Sequence, residues 1–112
     1  MAALQKSAHT IGVTASATIT QGQAVTAAGA VATAAGNAVG VAETDAASGA
    51  RVPVTVLGTG IAIAGAAITA GVALEVGSTG RLVTLDAGVP VARALTAAAA
   101  NGDQIEVLLI PN

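Results

Sequence analysis

Cysteine, phenylalanine, tyrosine and tryptophan are all absent from this chain. Without cysteine there is no disulfide framework, no thiolate metal site and no cysteine nucleophile. Without aromatic rings there is no platform on which sugars or bases stack. The core also lacks the side chains that bury most area, roughly 150–250 Å² each. Charge is scarce, at 9% of residues, and the net charge is −2. The basic residues Lys6, Arg51, Arg81 and Arg93 are scattered. Nucleic-acid binding needs clustered cations, so no nucleic-acid partner is expected. The only lysine, Lys6, has no glycine before it, which excludes a phosphate-binding loop of the G-x-x-x-x-G-K type.

What remains is small and apolar. Hydrophobic residues make up 54% of 112 positions, mostly Ala and Val. That length fits one domain. Small side chains bury little area each, at about 25 cal/mol per Å², and a domain with a thin core gains stability from neighbours. Val52 to Leu74 is uncharged and long enough to span a bilayer. Pro53, Gly58, Gly60, Gly65 and Gly71 interrupt it, three threonines dot it, and much of it alternates with period two. It therefore reads as strand, with no membrane partner expected. "MAALQKSAHTIG" has no apolar core of a secretory leader, so none is expected.

An internal repeat organises the chain. "ITQGQAVT" (Ile19–Thr26) matches "ITAGVALE" (Ile68–Glu75), "GNAVGVAET" (Gly36–Thr44) matches "GVPVARALT" (Gly88–Thr96), and "SGARVPVTVL" (Ser48–Leu57) matches "NGDQIEVLLI" (Asn101–Ile110). The three blocks keep their order, which marks a duplication of about 19–58 and 68–110. Alternation at Val52–Leu57, Ile61–Ala64 and Ile105–Leu109 predicts strands. Val72–Val76 and Arg81–Leu85 flank "GSTG", a hairpin signature. Gly22, Gly49, Gly58, Gly80 and Gly102 are the expected structural turns. "LTAAAANGD" (Leu95–Asp103) reads as a helical turn or two, capped by Thr96 and stopped at Asn101-Gly102. "ETDAASGA" (Glu43–Ala50) reads as its counterpart. The fold class is all-β: a small compact β-barrel or sandwich-like domain built from two related halves, with one or two short helical turns. Residues 1–18 form an N-terminal arm or first strand, and residues 19–112 a single β domain.

The chemistry-bearing patterns fail one by one. "VTVLGTGIAIAG" (Val54–Gly65) resembles the opening of a dinucleotide loop, but Ile63 stands at the third glycine position and no helix follows. Gly58 instead marks the end of the first half. His9, the sole histidine, has no serine in a G-x-S-x-G elbow to serve. Asp45, Asp86 and Asp103 sit at turns, where aspartate normally bonds backbone N–H groups. Glu106 lies on an alternating strand, outward, within reach of Arg51 or Arg93. No catalytic, cofactor-binding or metal-binding set emerges, and the chain reads as no enzyme.

With these residues in view, the chain resembles the capsid cement, or head decoration, proteins of tailed bacteriophages. The carriers are Gly40-Val41-Ala42, Gly49, Val52–Val56, Gly58, Gly80, Gly102-Asp103 and Ile105–Leu109, in that order. The chain departs from the pattern in lacking aromatics and in having Val89-Pro90-Val91-Ala92 in the second half. The resemblance implies a structural virion protein on the outer face of the capsid, made in the bacterial host cytoplasm. It implies the major capsid protein and the chain itself as partners, the latter as a homotrimer at three-fold and quasi-three-fold sites, and stabilisation of the expanded shell. The alternative is another self-assembling subunit: a fibre, adhesin or shell protein. The segment Ala2–Thr14 lies before the repeat, "HTIGVTASATIT" (His9–Thr20) has strand character, and Lys6, His9, Thr10 and Ile11 are candidate capsid-contact residues.

Overall fold

Alternating β-branched and small residues make the regular structure of this chain almost wholly strand. The computed structural model describes residues 7–110. It contains β1 (Ser7–Thr14), β2 (Ala24–Val25), β3 (Gly40–Ala42), β4 (Arg51–Ile63), β5 (Ala73–Val76), β6 (Leu82–Thr84), β7 (Ala92–Ala94) and β8 (Gln104–Leu109). They form one sheet in the order β2-β3-β4-β8-β7-β5-β6, with β1 paired to β4 off this path. The sheet curls into a nearly closed barrel, as the all-β reading expects. The "GSTG" hairpin is present: β5 pairs antiparallel with β6 across a single 3-10 turn, Ser78–Gly80.

β4 organises the rest. Its first part pairs with β1 on one edge and β3 on the other. Its second part, Thr59–Ile63, pairs with β8. The sequence suggests a break at Gly58, and the structure corrects this: the strand runs on. Gly58 takes a φ of 86° opposite Ser7, where the β1 register slips. A residue with no Cβ adopts that angle freely, so the strand bends at a bulge and continues to a new partner. Pro53 is placed where a missing N–H is tolerated. Its carbonyl accepts from Glu43 N–H at 2.9 Å, on the β3 side.

One set of backbone contacts occurs twice along the chain. Gly12 faces Pro53 and Val13 faces Val52 across β1 and β4; Ile61 faces Glu106 and Ala62 faces Ile105 across β4 and β8. Gly22 N–H donates to the Ala42 carbonyl, and Gly71 N–H to that of Ala94. Ile19 bridges to Ala46, and Ile68 to Ala98.

Neither expected helical segment is helical. In Leu95–Asp103 the alanines favour a helix, but Ala98 exchanges both backbone hydrogen bonds with Ile68. The Asp103 carboxylate accepts the N–H groups of Ala99 and Ala100 at 2.9 and 3.1 Å. Those donors are thereby drawn into a turn, and local propensity yields to pairing. In Glu43–Ala50, Ala46 exchanges both bonds with Ile19, and Asp45 accepts from Gln21 N–H at 2.7 Å rather than capping its own segment. The ion pair expected for Glu106 is also missing among the described residues. Arg93 donates instead to the Gly71 carbonyl at 2.7 Å. Glu106 is half-buried, and its N–H donates to Thr96 Oγ1.

The core follows from the composition. One buried cluster contains Leu74, Leu82, Ile105 and Val107 together with Ala62, Ala64, Ala92 and Ala94. The other contains Val13, Ile19, Val25, Val52 and Val54. Leucine and isoleucine do the filling that aromatics do elsewhere, and alanines let the strands and loops approach closely.

Candidate interaction surface

Glu43, Asp45, Glu75 and Asp103 use their carboxylates to hold backbone N–H groups or neighbouring hydroxyls. Glu75 is 7% exposed. Its Oε1 accepts N–H groups from Asp86 and, at 3.4 Å, Gly88, so it ties the turn after β6 to β5. Glu43 Oε2 accepts hydroxyl hydrogens from Thr10 and from fully buried Thr55, each at 2.7 Å. Among the described residues no three acidic or histidine side chains gather as a metal site. No helix there is long and apolar enough to cross a membrane. Gly58 and Gly60 lie inside β4, so the dinucleotide-like run is strand.

Glu75 provides a direct test of that structural role. Glu75→Ala removes the acceptor from two turn amides and is expected to cost about 1–2 kcal/mol. Glu75→Gln keeps an acceptor oxygen and should cost clearly less. Thermal denaturation followed by circular dichroism, run on both variants, checks the order.

The candidate contact residues occupy three situations. Lys6 lies outside the described residues. His9 and Thr10 are exposed on β1, and Ile11 is half-buried against the cluster of Val13, Val25, Val52 and Val54. The five expected turn glycines, Gly22, Gly49, Gly58, Gly80 and Gly102, have φ values of 89°, 90°, 86°, 73° and 98°.

Beside Ile11 is an uncharged cleft of about 600 Å³, lined among others by Ala27, Ala38, Val39 and Val56. Its walls come from β1, β4 and the segments at 26–27 and 37–39. Arg51, at the start of β4, reaches diagonally over Gly12: a Cβ placed on Gly12 would sit 2.7 Å from its Nη2. Arg51, Val39 and Val56 do not stand out in the sequence as surface features. Val39 and Val56 carry the alternating signal of half-buried strand neighbours, while Arg51 carries none, because its position over Gly12 depends on the β1–β4 register.

A family profile described as phage cement protein matches residues 4–109. The chain belongs to the phage cement protein family. Members of this family are structural components of the virion, located on the capsid. The fold is similar to that in "The crystal structure of head fiber gp8.5 N base in bacteriophage phi29", with a TM-score of 0.74 at 20% identity, covering 91% of this chain and 93% of that one. No curated protein sequence matches the chain. The resemblance stated from the order of glycine and valine blocks thus agrees with the family match.

Proposed function

We propose that this cement protein binds the outer surface of the phage capsid as a homotrimer at three-fold and quasi-three-fold positions, and that it reinforces the expanded shell. The observation that carries the reading is the family match across nearly the whole described domain. The partner is the major capsid protein, and the role is mechanical and without catalysis. Each contact is modest, but copies on a lattice act together. A subunit held at several points escapes only when all of them release, so weak contacts sum to a stable collar. Binding only the expanded form shifts the shell toward that form by mass action. Small apolar side chains and low charge suit close packing against another protein. The twice-occurring contact set supports reading the domain as two related halves, with the segment before residue 19 acting as its first strand.

Co-sedimentation with immature and expanded shells of the host phage tests this. The expected result is saturable binding to expanded shells only, with a light-scattering mass of three chains for the released protein. Absence of binding to either shell overturns the capsid reading; a monomer or dimer mass overturns the trimer. A second reading, the base of a longer fibre, draws on the fold likeness to the phi29 head-fibre base. Images of decorated particles separate the two, since a fibre base carries density projecting well beyond one small domain.

A further inference from the structure

Among the described residues β1 pairs along one edge only, with β4. Ala15 N–H donates to the Ala50 carbonyl at 2.8 Å, which places Ala15 in a hydrogen-bonded pair with β4's approach. In an antiparallel ladder such pairs alternate. Val13 and Ile11 therefore direct their backbone groups at β4, whereas Gly12 and Thr10 direct theirs away from it. Pro53, opposite Gly12, agrees, because its carbonyl points to Glu43 on the far side. Among the described residues no strand pairs with the outward edge of Thr10 or Gly12. The strand carries no proline between Ser7 and Thr14, and no Lys, Arg, Asp or Glu. Those are the usual devices by which an exposed edge repels a visiting strand.

The two faces of this edge ask for different chemistry. On the inner face, the uncharged cleft at Ile11, Val39 and Val56 accepts apolar side chains. On the outer face, the Arg51 guanidinium lies over Gly12 and has no hydrogen bond or ion pair among the described residues. Two residues along, Glu43 is held at Thr10. A strand laid on this edge puts alternate side chains on the two faces. Its residue opposite Gly12 meets a cation, its neighbours on either side meet the cleft, and its residue opposite Thr10 meets a carboxylate.

We infer that the free edge of β1 takes an extended segment of a different virion polypeptide reading apolar–acidic–apolar, with the acid opposite Gly12 and beneath Arg51. This rests on the capsid reading for its setting and names the kind of contact involved. The backbone ladder supplies affinity, and the alternating side chains supply register. A second copy of this chain fits worse. Antiparallel pairing of two β1 edges puts the two-fold near Gly12 and needs the outward edge of Thr14, against which Gly29 already packs. The two-fold also brings two Arg51 guanidiniums together, a like-charge contact that disfavours the pairing.

The test uses the full chain and two capped pentapeptides, acetyl-Thr-Val-Asp-Val-Thr-amide and the same peptide with Lys for Asp. Amide hydrogen exchange is read by NMR with each peptide at millimolar concentration. The Asp peptide is expected to slow exchange at Thr10 and Gly12 at least about tenfold, and the Lys peptide not to. Arg51→Glu should reverse that preference, and Arg51→Ala should abolish it; Arg51 is exposed, so both variants should fold. No slowing by either peptide, or equal slowing in the wild type and Arg51→Glu, overturns the inference. Slowing that follows protein concentration without peptide assigns the edge to a second copy and also overturns it. Exchange is then measured on shell-bound protein. Binding with the β1 edge still exchanging freely leaves the capsid reading standing and overturns this one. Failure to bind shells counts against the capsid reading alone, and the peptide result decides the edge.

Discussion

Gly29→Ala is expected to lower stability by about 3 kcal/mol or more, with Tm falling by about 10 °C. Two costs combine. Gly29 has a φ of 86°, a region that costs an L-residue roughly 1–2 kcal/mol. A Cβ there would also stand 1.9 Å from the Thr14 carbonyl oxygen and 2.9 Å from its carbon. Both are backbone atoms, so relief requires the 26–30 turn to move away from the end of β1. That movement stretches the Ser16 N–H bond to the Gly29 carbonyl, now 3.0 Å. Gly49→Ala isolates the first cost. Its φ is 90°, but nothing lies within 4 Å of the added methyl, so the loss should be about 1–2 kcal/mol. Equal losses at the two sites, measured by urea denaturation, would show that the close approach to Thr14 does not matter.

Leu74→Ala is expected to cost about 3–4 kcal/mol. Leu74 is fully buried on β5, between Thr84 of β6 and Ala92 of β7 in register. Its cluster contains Ala62, Ala64, Ala92 and Ala94. Alanines have no rotamers with which to fill a void, and the strands that carry them are fixed by ladder hydrogen bonds. The cavity therefore stays open, and cost rises with residual cavity volume. Leu74→Met, which nearly conserves volume, should cost less than about 1.5 kcal/mol. A small loss for Leu74→Ala in the same denaturation series would mean that this aromatic-free core collapses more readily than its hydrogen bonding implies.

Features set by local pattern were legible before the fold was known. Alternation at Val52–Val56 and Ile105–Leu109 marked β4 and β8. Glycines at both ends of "GSTG" marked the β5–β6 hairpin, and the ordered glycine and valine blocks carried the family resemblance. Features that depend on a distant partner were illegible. Leu95–Asp103 has the composition of a helix, and nothing nearby reveals that Ile68 will claim Ala98. The continuity of β4 through Gly58 depends on β1 and β8 lying end to end along it. The cleft at Ile11 and the position of Arg51 over Gly12 exist only once β1 and β4 are in register. In a sequence with so few charges and no rings, little marks a surface in advance.

The unbroken run of β4 past its bulge gives the domain a load path. β1 and β3 grip its first part, and β8 grips its second. A pull that enters on one side of the barrel passes along covalent bonds to the other side. It is not handed across a seam of alanine and valine methyls, where sliding is easy. In the proposed role on a swelling shell, such a subunit would act as a tie-rod under tension, with its weakest points at its outer grips.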